Sequence, residues 1–303
     1  MYRVRQQLEC TGELVNKYQG ESVTVAILDS GIFPHPDFEN RIIGFKDFVN
    51  HHSIMYDDSG HGTHIAGCVA SSGFVSEGRI AGIVPKARLV IGKVLNENGD
   101  GCLDDMLEGI QWIMDVREEY NIRILNISVG IGSVQNIEKR NQLIEKIDGV
   151  WKLGMTVVVA AGNKGPEPMS ISPFAMSDKV IAVGCHDGRY FGKNENLCET
   201  YSGRGPSVYN IKKPDLVAPG TNIVSCSNTC KFYNRRYRNA YITKSGTSMA
   251  TPLVAGAAAM LIDREPTITN VEIKRKILHN AVDMGEEWGK QGWGMLNIRK
   301  LME

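Results

Sequence analysis

Five short runs of apolar, largely β-branched residues constrain this chain most: Val23 to Leu28, Leu89 to Leu95, Ile124 to Ser128, Met155 to Ala161 and Val180 to Gly184. None alternates polar with apolar residues, so each is expected to be buried on both faces, as a strand inside a parallel sheet is. Between them lie segments with helical spacing. Asp104 to Glu119 carries Met106, Leu107, Ile110, Ile113, Met114 and Val116 at that period, and Ile137 to Leu153 is a second such segment. Strand and helix alternate, so the expected fold is an α/β, three-layer α/β/α sandwich around a mostly parallel central sheet. Ligands of such sheets bind at the carboxyl ends of the strands, which directs attention to Asp29 and Asn163, each just past a strand. No internal repeat and no linker rich in proline, glycine or serine divides the chain, and residues 1–303 are expected to form one catalytic domain.

Charge narrows the partners. Thirty-four lysines and arginines balance 34 aspartates and glutamates, so no global field favours nucleic acid or an anionic membrane. Met1 to Gln19 lacks the apolar run of a secretory signal, and the longest apolar stretches fall short of the ~20 residues that span a bilayer. Seven cysteines, Cys10, Cys68, Cys102, Cys185, Cys198, Cys226 and Cys230, are scattered and odd in number, a pattern that suits reduced thiols better than a disulfide framework. A cytoplasmic location is expected.

Three segments carry the chemistry. AILDSG ends a strand in Asp29, although a lone carboxylate there is more often a cap or turn former. DDSGHGTHIAG sets His61 and His64 three residues apart at the start of a helix-like run; zinc is the weaker reading, because the glutamate of a zincin motif is missing and no other His/Cys cluster stands at ligand spacing. SGTSMATPLVAGAAAMLI places Ser248 at a helix N-terminus, where negative charge is favoured, with Pro252 expected in the first turn. A serine at that position is by itself more often an N-cap than a nucleophile.

Together, in the order Asp, His, Ser, the segments AILDSG, HGTHIAG and GTSMATP resemble the three signature segments of the subtilisin family; VVVAAGN is similar to its oxyanion segment and GWGMLNIRKL to its C-terminal one. The resemblance covers nearly the whole chain. It implies a serine endopeptidase in which Ser248 attacks the scissile carbonyl, His61 is the base, Asp29 orients and stabilises the imidazole, and Asn163 donates to the oxyanion beside the backbone N–H of Ser248. His64 is then structural. Substrate is expected to add as an extended strand at Ser128, Val129 and Gly130, with Ile131 standing where the family has a glycine. Gly99, Gly101 and Leu103 resemble the facing edge, Leu103 as the wall of a distal apolar pocket. Lys164 and Lys244 border the cleft in relatives and imply a preference for acidic substrate side chains, unless both are solvated surface groups and Glu167 offsets one.

No cofactor is required for this chemistry and no metal is expected at the catalytic centre. The loop ASSGFVSEGRIAG lacks the asparagine-rich pattern of the relatives' tight calcium loop, which leaves Asp37 and Asp57 as candidates for structural calcium elsewhere. Cys226 and Cys230 lack two further ligands and read as free thiols. KFYNRRYRNAY, a mixture of cations and tyrosines suggestive of nucleic acid, reads instead as a solvated hairpin facing a partner or the leaving side of a substrate. Only 28 residues precede Asp29, too few for a folding prodomain, an arrangement similar to intracellular subtilisins; Met1 to Gln7 does not match their inhibitory extension. A catalytically silent binding or signalling protein on the same fold is the chief rival, and a nucleotide-binding protein the remote one, since no glycine-rich fingerprint follows any strand. Among proteases, general turnover competes with maturation of one precursor or leader peptide.

Overall fold

The computed structural model describes residues 1–129, 137–188, 197–208 and 210–303. Seven strands form the central sheet: β1 (Thr24–Asp29), β2 (Ile42–Asp47), β3 (Arg88–Lys93), β4 (Ile122–Ile127), β5 (Thr156–Ala160), β6 (Ile181–Cys185) and β7 (Leu216–Ala218). Their spatial order is β2-β3-β1-β4-β5-β6-β7, and every pairing is parallel. Two ribbons follow, one made of β8 (Ile223–Cys226) with β11 (Tyr241–Lys244), the other of β9 (Lys231–Tyr233) with β10 (Arg236–Arg238). The helices are α1 (Tyr2–Gln7), α2 (Glu13–Lys17), α3 (His61–Ala70), α4 (Leu103–Val116), α5 (Ile137–Lys152), α6 (Thr247–Arg264), α7 (Asn270–His279), α8 (Trp288–Gln291) and α9 (Ile298–Met302).

Side chains alternate across a strand, and the two cores follow that alternation. Val25 and Ile27 of β1 enter the core shared with α3, α6, α7 and α9, whereas Ala26 and Leu28 enter the core shared with α4 and α5. Three layers result, as expected. Helix α6 is buried from Met249 to Ile262 and apolar on every side, which matches its place inside the molecule rather than at a water-facing edge. The strand order reverses between β1 and β4, and a crevice opens at the carboxyl ends of strands at such a switch point.

The structure departs from expectation in three places. Strands β2 and β7 were not foreseen: β2 is a half-buried edge strand interrupted by Gly44 and Lys46, and β7 is three residues long, so neither forms an apolar run. Pro252 sits in the second turn of α6, not the first. It removes the N–H that would have bonded the Ser248 carbonyl, while Thr251 Oγ1 returns to Thr247 O at 2.8 Å. The expectation of seven reduced thiols is corrected by a Cys185–Cys198 disulfide, with Cα atoms 5.4 Å apart, which leaves Cys10, Cys68, Cys102, Cys226 and Cys230 free. Strand β6 ends at Cys185 and Cys198 lies beside it, a proximity that sequence spacing does not reveal.

Candidate active site

Asp29 is the last residue of β1 and continues the parity of Val25 and Ile27, so its side chain faces the layer of α3 and α6. It is fully buried. Its Oδ1 accepts from Ser30 N at 2.8 Å and meets His61 Nδ1 at 2.7 Å; Oδ2 has no hydrogen-bond partner among the described residues. An ionised carboxylate only accepts, so Nδ1 of His61 carries the hydrogen and Nε2 keeps its lone pair. Burial alone depresses the proton affinity of His61, but the charge and hydrogen bond of Asp29 outweigh it and hold the pKa above the ordinary imidazole value, with Lys244 pulling down and Asp57 up.

His61 opens α3 directly after Gly60, whose φ of 75° lies in the left-handed region that glycine adopts at no steric cost. Asp57 ties this turn together. Its Oδ1 accepts from Gly60 N at 2.7 Å and Ser30 Oγ at 2.8 Å, and its Oδ2 from Thr63 N at 2.8 Å and Thr63 Oγ1 at 2.6 Å. Ser30 Oγ in turn accepts from Gly62 N at 2.9 Å, so the segment after β1 and the start of α3 are stitched together on both sides of the Asp29–His61 pair. His64 lies one turn deeper with its Nε2 2.9 Å from Ile223 O, and burial pushes its pKa down to about 3. It is a neutral structural group.

Ser248 is the second residue of α6 and half-buried, in the first turn, where N–H groups have no intrahelical acceptor. Its neighbours' N–H groups are taken: Thr247 N donates to Asn163 Oδ1 at 3.0 Å and Met249 N to Gly246 O at 3.0 Å. Thr247 Oγ1 also donates to Asn163 Oδ1, at 2.9 Å. With its oxygen held twice, the Asn163 amide directs Nδ2 elsewhere. A Cβ placed on Gly246 would stand 3.5 Å from Asn163 Nδ2 and 3.7 Å from Ser248 N, so two N–H donors flank one small space that glycine leaves open. A carbonyl oxygen that gains negative charge is stabilised by donors of that kind.

Of the other predicted positions, Ser128 and Val129 follow β4, and Gly99, Gly101 and Leu103 follow β3. Leu28 is paired with Ile127, which places Ser128 beside Asp29 at the mouth of the switch point; Ser128 Oγ accepts from Asn126 Nδ2 at 2.9 Å and Val129 is buried. Gly99 closes the turn Asn96 to Asp100 with φ 80°, and a Cβ on it would be 3.9 Å from Ser59 Oγ, two residues before His61. At Gly101 a Cβ would meet Leu95 Cδ2 at 2.5 Å, and Leu103 packs partly buried on the α4 core. Gly130 and Ile131 lie outside the described residues.

A family model for subtilases matches residues 20–294. The chain belongs to the subtilase family. It is 42% identical over 274 residues to serine protease AprX of Bacillus subtilis (strain 168), covering 87% of this chain and 62% of AprX. It is 31% identical over 284 residues to subtilisin DY of Bacillus licheniformis, covering 93% of this chain and 91% of that protein. Among solved structures, sphericase superposes with a TM-score of 0.76 at 27% identity over 94% of this chain and 96% of its own. A cold adapted subtilisin-like serine proteinase gives a TM-score of 0.69 at 25% identity over 92% and 90%. This subtilase thus spans less than two thirds of AprX.

Several residues of the subtilase site escaped the sequence reading. Thr247, which anchors Asn163, stands next to Ser248 and has no sequence signal of its own. Lys93 ends an apolar strand, where a lone cation is the signal of a buried polar partner. Fully buried and paired in register with Asp29, its Nζ donates to Ser30 O and Leu95 O, each at 2.8 Å, and to Asp58 Oδ1 at 2.6 Å. Lys244 ends β11 close enough to depress His61, whereas Lys164 is exposed.

The two calcium candidates already accept protein donors. Asp57 is occupied as described, and Asp37 accepts from Val75 N at 2.9 Å, Ser71 Oγ at 2.7 Å and Tyr241 OH at 2.8 Å. The fold also assembles two three-residue groups that spacing hid, His35 with Asp37 and Cys226, and Cys185 with Asp187 and Cys198. Their atoms are engaged already: His35 Nδ1 accepts from Asp37 N, and the two cysteines of the second group are bonded to each other.

Proposed function

We propose that this chain is a serine endopeptidase that cleaves protein chains bound as an extended strand, with residues 1–303 acting as one catalytic domain. The observation that carries the reading is the Asp29–His61 hydrogen bond of 2.7 Å, together with the anchoring of Asn163, from the segment after β5, to Thr247 beside Ser248 at the start of α6. Ser248 Oγ attacks the carbonyl carbon while His61 Nε2 accepts its proton; the new oxyanion takes hydrogen bonds from Asn163 Nδ2 and Ser248 N. His61 then returns the proton to the departing amine as the C–N bond breaks, and a water repeats the sequence to free the acyl group. Asp29 stays ionised and stabilises the imidazolium. Strand addition at Ser128, Val129 and Gly130 on one side and Gly99 and Gly101 on the other fixes the substrate in register, Leu103 borders a distal apolar pocket, and Lys164 and Lys244 favour acidic side chains at the cut.

No calcium is required at Asp37 or Asp57 in this reading, because protein donors already serve both carboxylates; a chelator should leave the melting temperature unchanged. No helix among the described residues is long and apolar enough to cross a membrane. The five free thiols, one of them the exposed Cys102, support a cytoplasmic site, against which the Cys185–Cys198 bond weighs; thiol trapping in intact cells decides between them. Labelling by a fluorophosphonate together with hydrolysis of denatured casein tests the activity. Both are expected in the wild type and lost in Ser248→Ala, and an unlabelled, inert wild-type protein would return the chain to the class of silent binding proteins.

A further inference from the structure

The sequence from Ser227 to Ser245 contains five cations, Lys231, Arg235, Arg236, Arg238 and Lys244, and no acidic residue, in a chain whose net charge is zero. Four of the five lie on the β9–β10 ribbon, and among the described residues none of those four has an ion pair. Register sorts them. Arg238 is paired with Lys231 and Arg236 with Tyr233, so by strand alternation these side chains share one face. Phe232 and Tyr237 share the other, their rings 5.0 Å apart, and Tyr237 meets the ring of Phe74 at 6.3 Å. Like charges directly opposite one another destabilise a ribbon, and an isolated two-stranded ribbon is marginal in water. The turn adds to this burden: Asn234 and Arg235 both have positive φ, 49° and 60°, a geometry that favours glycine where Arg235 stands. The ribbon therefore presents a cationic face, tipped by Arg235, at an electrostatic cost that no ion pair among the described residues offsets. Phe232 and Tyr233 beside it are 66% and 64% exposed, and aromatic residues with arginine are the composition of binding hot spots.

The ribbon is rooted beside the cleft at both ends. Asn228 at its base donates to Asp57 O at 2.9 Å, and a Cβ on Gly60 would lie 2.5 Å from Asn228 Oδ1, so this base packs on the residue before His61. The other end continues through β11 to Lys244, Gly246 and Ser248. A polypeptide whose cut bond lies between His61 and Ser248 is thus the macromolecule brought to this surface, ahead of a nucleic acid or a membrane.

We propose that the ribbon from Lys231 to Arg238 is an exosite that captures Asp- and Glu-rich segments of protein substrates on the leaving side of the cut. The proposal rests on the peptidase reading for its consequence but not for its binding step, and the test separates the two. A matched pair of peptides with one cleavable core, with and without an acidic tail after the cut, is given to the full chain and to a variant with Lys231, Arg235, Arg236 and Arg238 all changed to Gln. The tailed peptide is expected to have a kcat/KM about ten-fold higher, through KM, an advantage that fades as salt rises from about 50 to about 500 mM. The variant should lose that advantage and cleave the untailed peptide as well as the wild type. In parallel, fluorescence anisotropy of the labelled tail on Ser248→Ala, with and without the four Gln changes, reads capture without turnover, and a loss of about ten-fold in affinity is expected. Equal kcat/KM for the two peptides on the wild type, or an advantage that survives in the variant, overturns the exosite. So does a variant that loses binding to single-stranded DNA or phosphatidylserine vesicles while its affinity for the acidic tail is unchanged. If neither peptide is cut, the peptidase reading fails while the anisotropy still decides the exosite.

Discussion

Replacing Asn163 by alanine should lower kcat by about a hundred- to a thousand-fold, or ~2.7 to 4 kcal/mol, and leave KM nearly unchanged, the range measured for loss of the equivalent donor in a subtilisin. The size follows from the geometry. Asn163 Oδ1 is held by Thr247 N at 3.0 Å and Thr247 Oγ1 at 2.9 Å, so Nδ2 meets the substrate oxygen already oriented, and its bond strengthens only when that oxygen becomes an anion. A bond stronger in the transition state than in the ground state appears in kcat. Thr247→Val keeps the backbone anchor and removes the hydroxyl one, so a smaller loss of about 1 kcal/mol, roughly five-fold, is expected. Asn163→Asp keeps the anchored oxygen, replaces the donor with a negative charge and should be worse than alanine. Full saturation curves on a chromogenic peptide separate kcat from KM for all three variants. Were Asn163→Ala to keep kcat within about three-fold of wild type, or to lose its activity through KM, the donor would not face the developing charge and the argument from the Thr247 anchor would fail.

His61 must be neutral to accept a proton, so kcat/KM should rise with pH through a midpoint above the 6.5 of an ordinary imidazole, and Lys244→Gln, by removing a cation that depresses His61, should move the midpoint further up; a downward or absent shift refutes this. His64 is held neutral with a pKa of about 3, so its contribution to stability is complete above pH 6.5 and is lost as the pH falls from there to about 3, and urea midpoints should register a loss of about 2 kcal/mol between pH 7 and 5. His35 and His186, depressed by burial, act in the same direction, so His64→Asn should flatten the slope in part. The Cys185–Cys198 bridge spans 13 positions, and a loop of this length predicts about 3 kcal/mol from chain entropy; reductant, or Cys185→Ser with Cys198→Ser, should lower the urea midpoint accordingly, and an unchanged midpoint would show the bond to be idle.

Periodicity carried much of the architecture. The five apolar runs became β1, β3, β4, β5 and β6, and the two amphipathic segments became α4 and α5, because burial on both faces and a 3.6-residue stripe both leave marks over a few residues. The positions of Asp29, His61 and Ser248 at element ends were legible for the same reason. The hairpin expected at KFYNRRYRNAY formed as well, although its unpaired charge became visible only once the neighbouring acids had been located.

What lay beyond the sequence were relations between segments far apart along it: the strand order that sets Asp29 between Lys93 and Ser128, the packing of α3 and α6 on one face of β1, the Thr247 anchor of Asn163 across 84 positions, and the closure of Cys185 on Cys198. Local steric and solvation preferences act within a turn of helix or a few residues of strand, so they are written in short stretches of sequence. Which layers meet is settled by the burial of all the apolar faces at once, and the chemistry sits at those meetings.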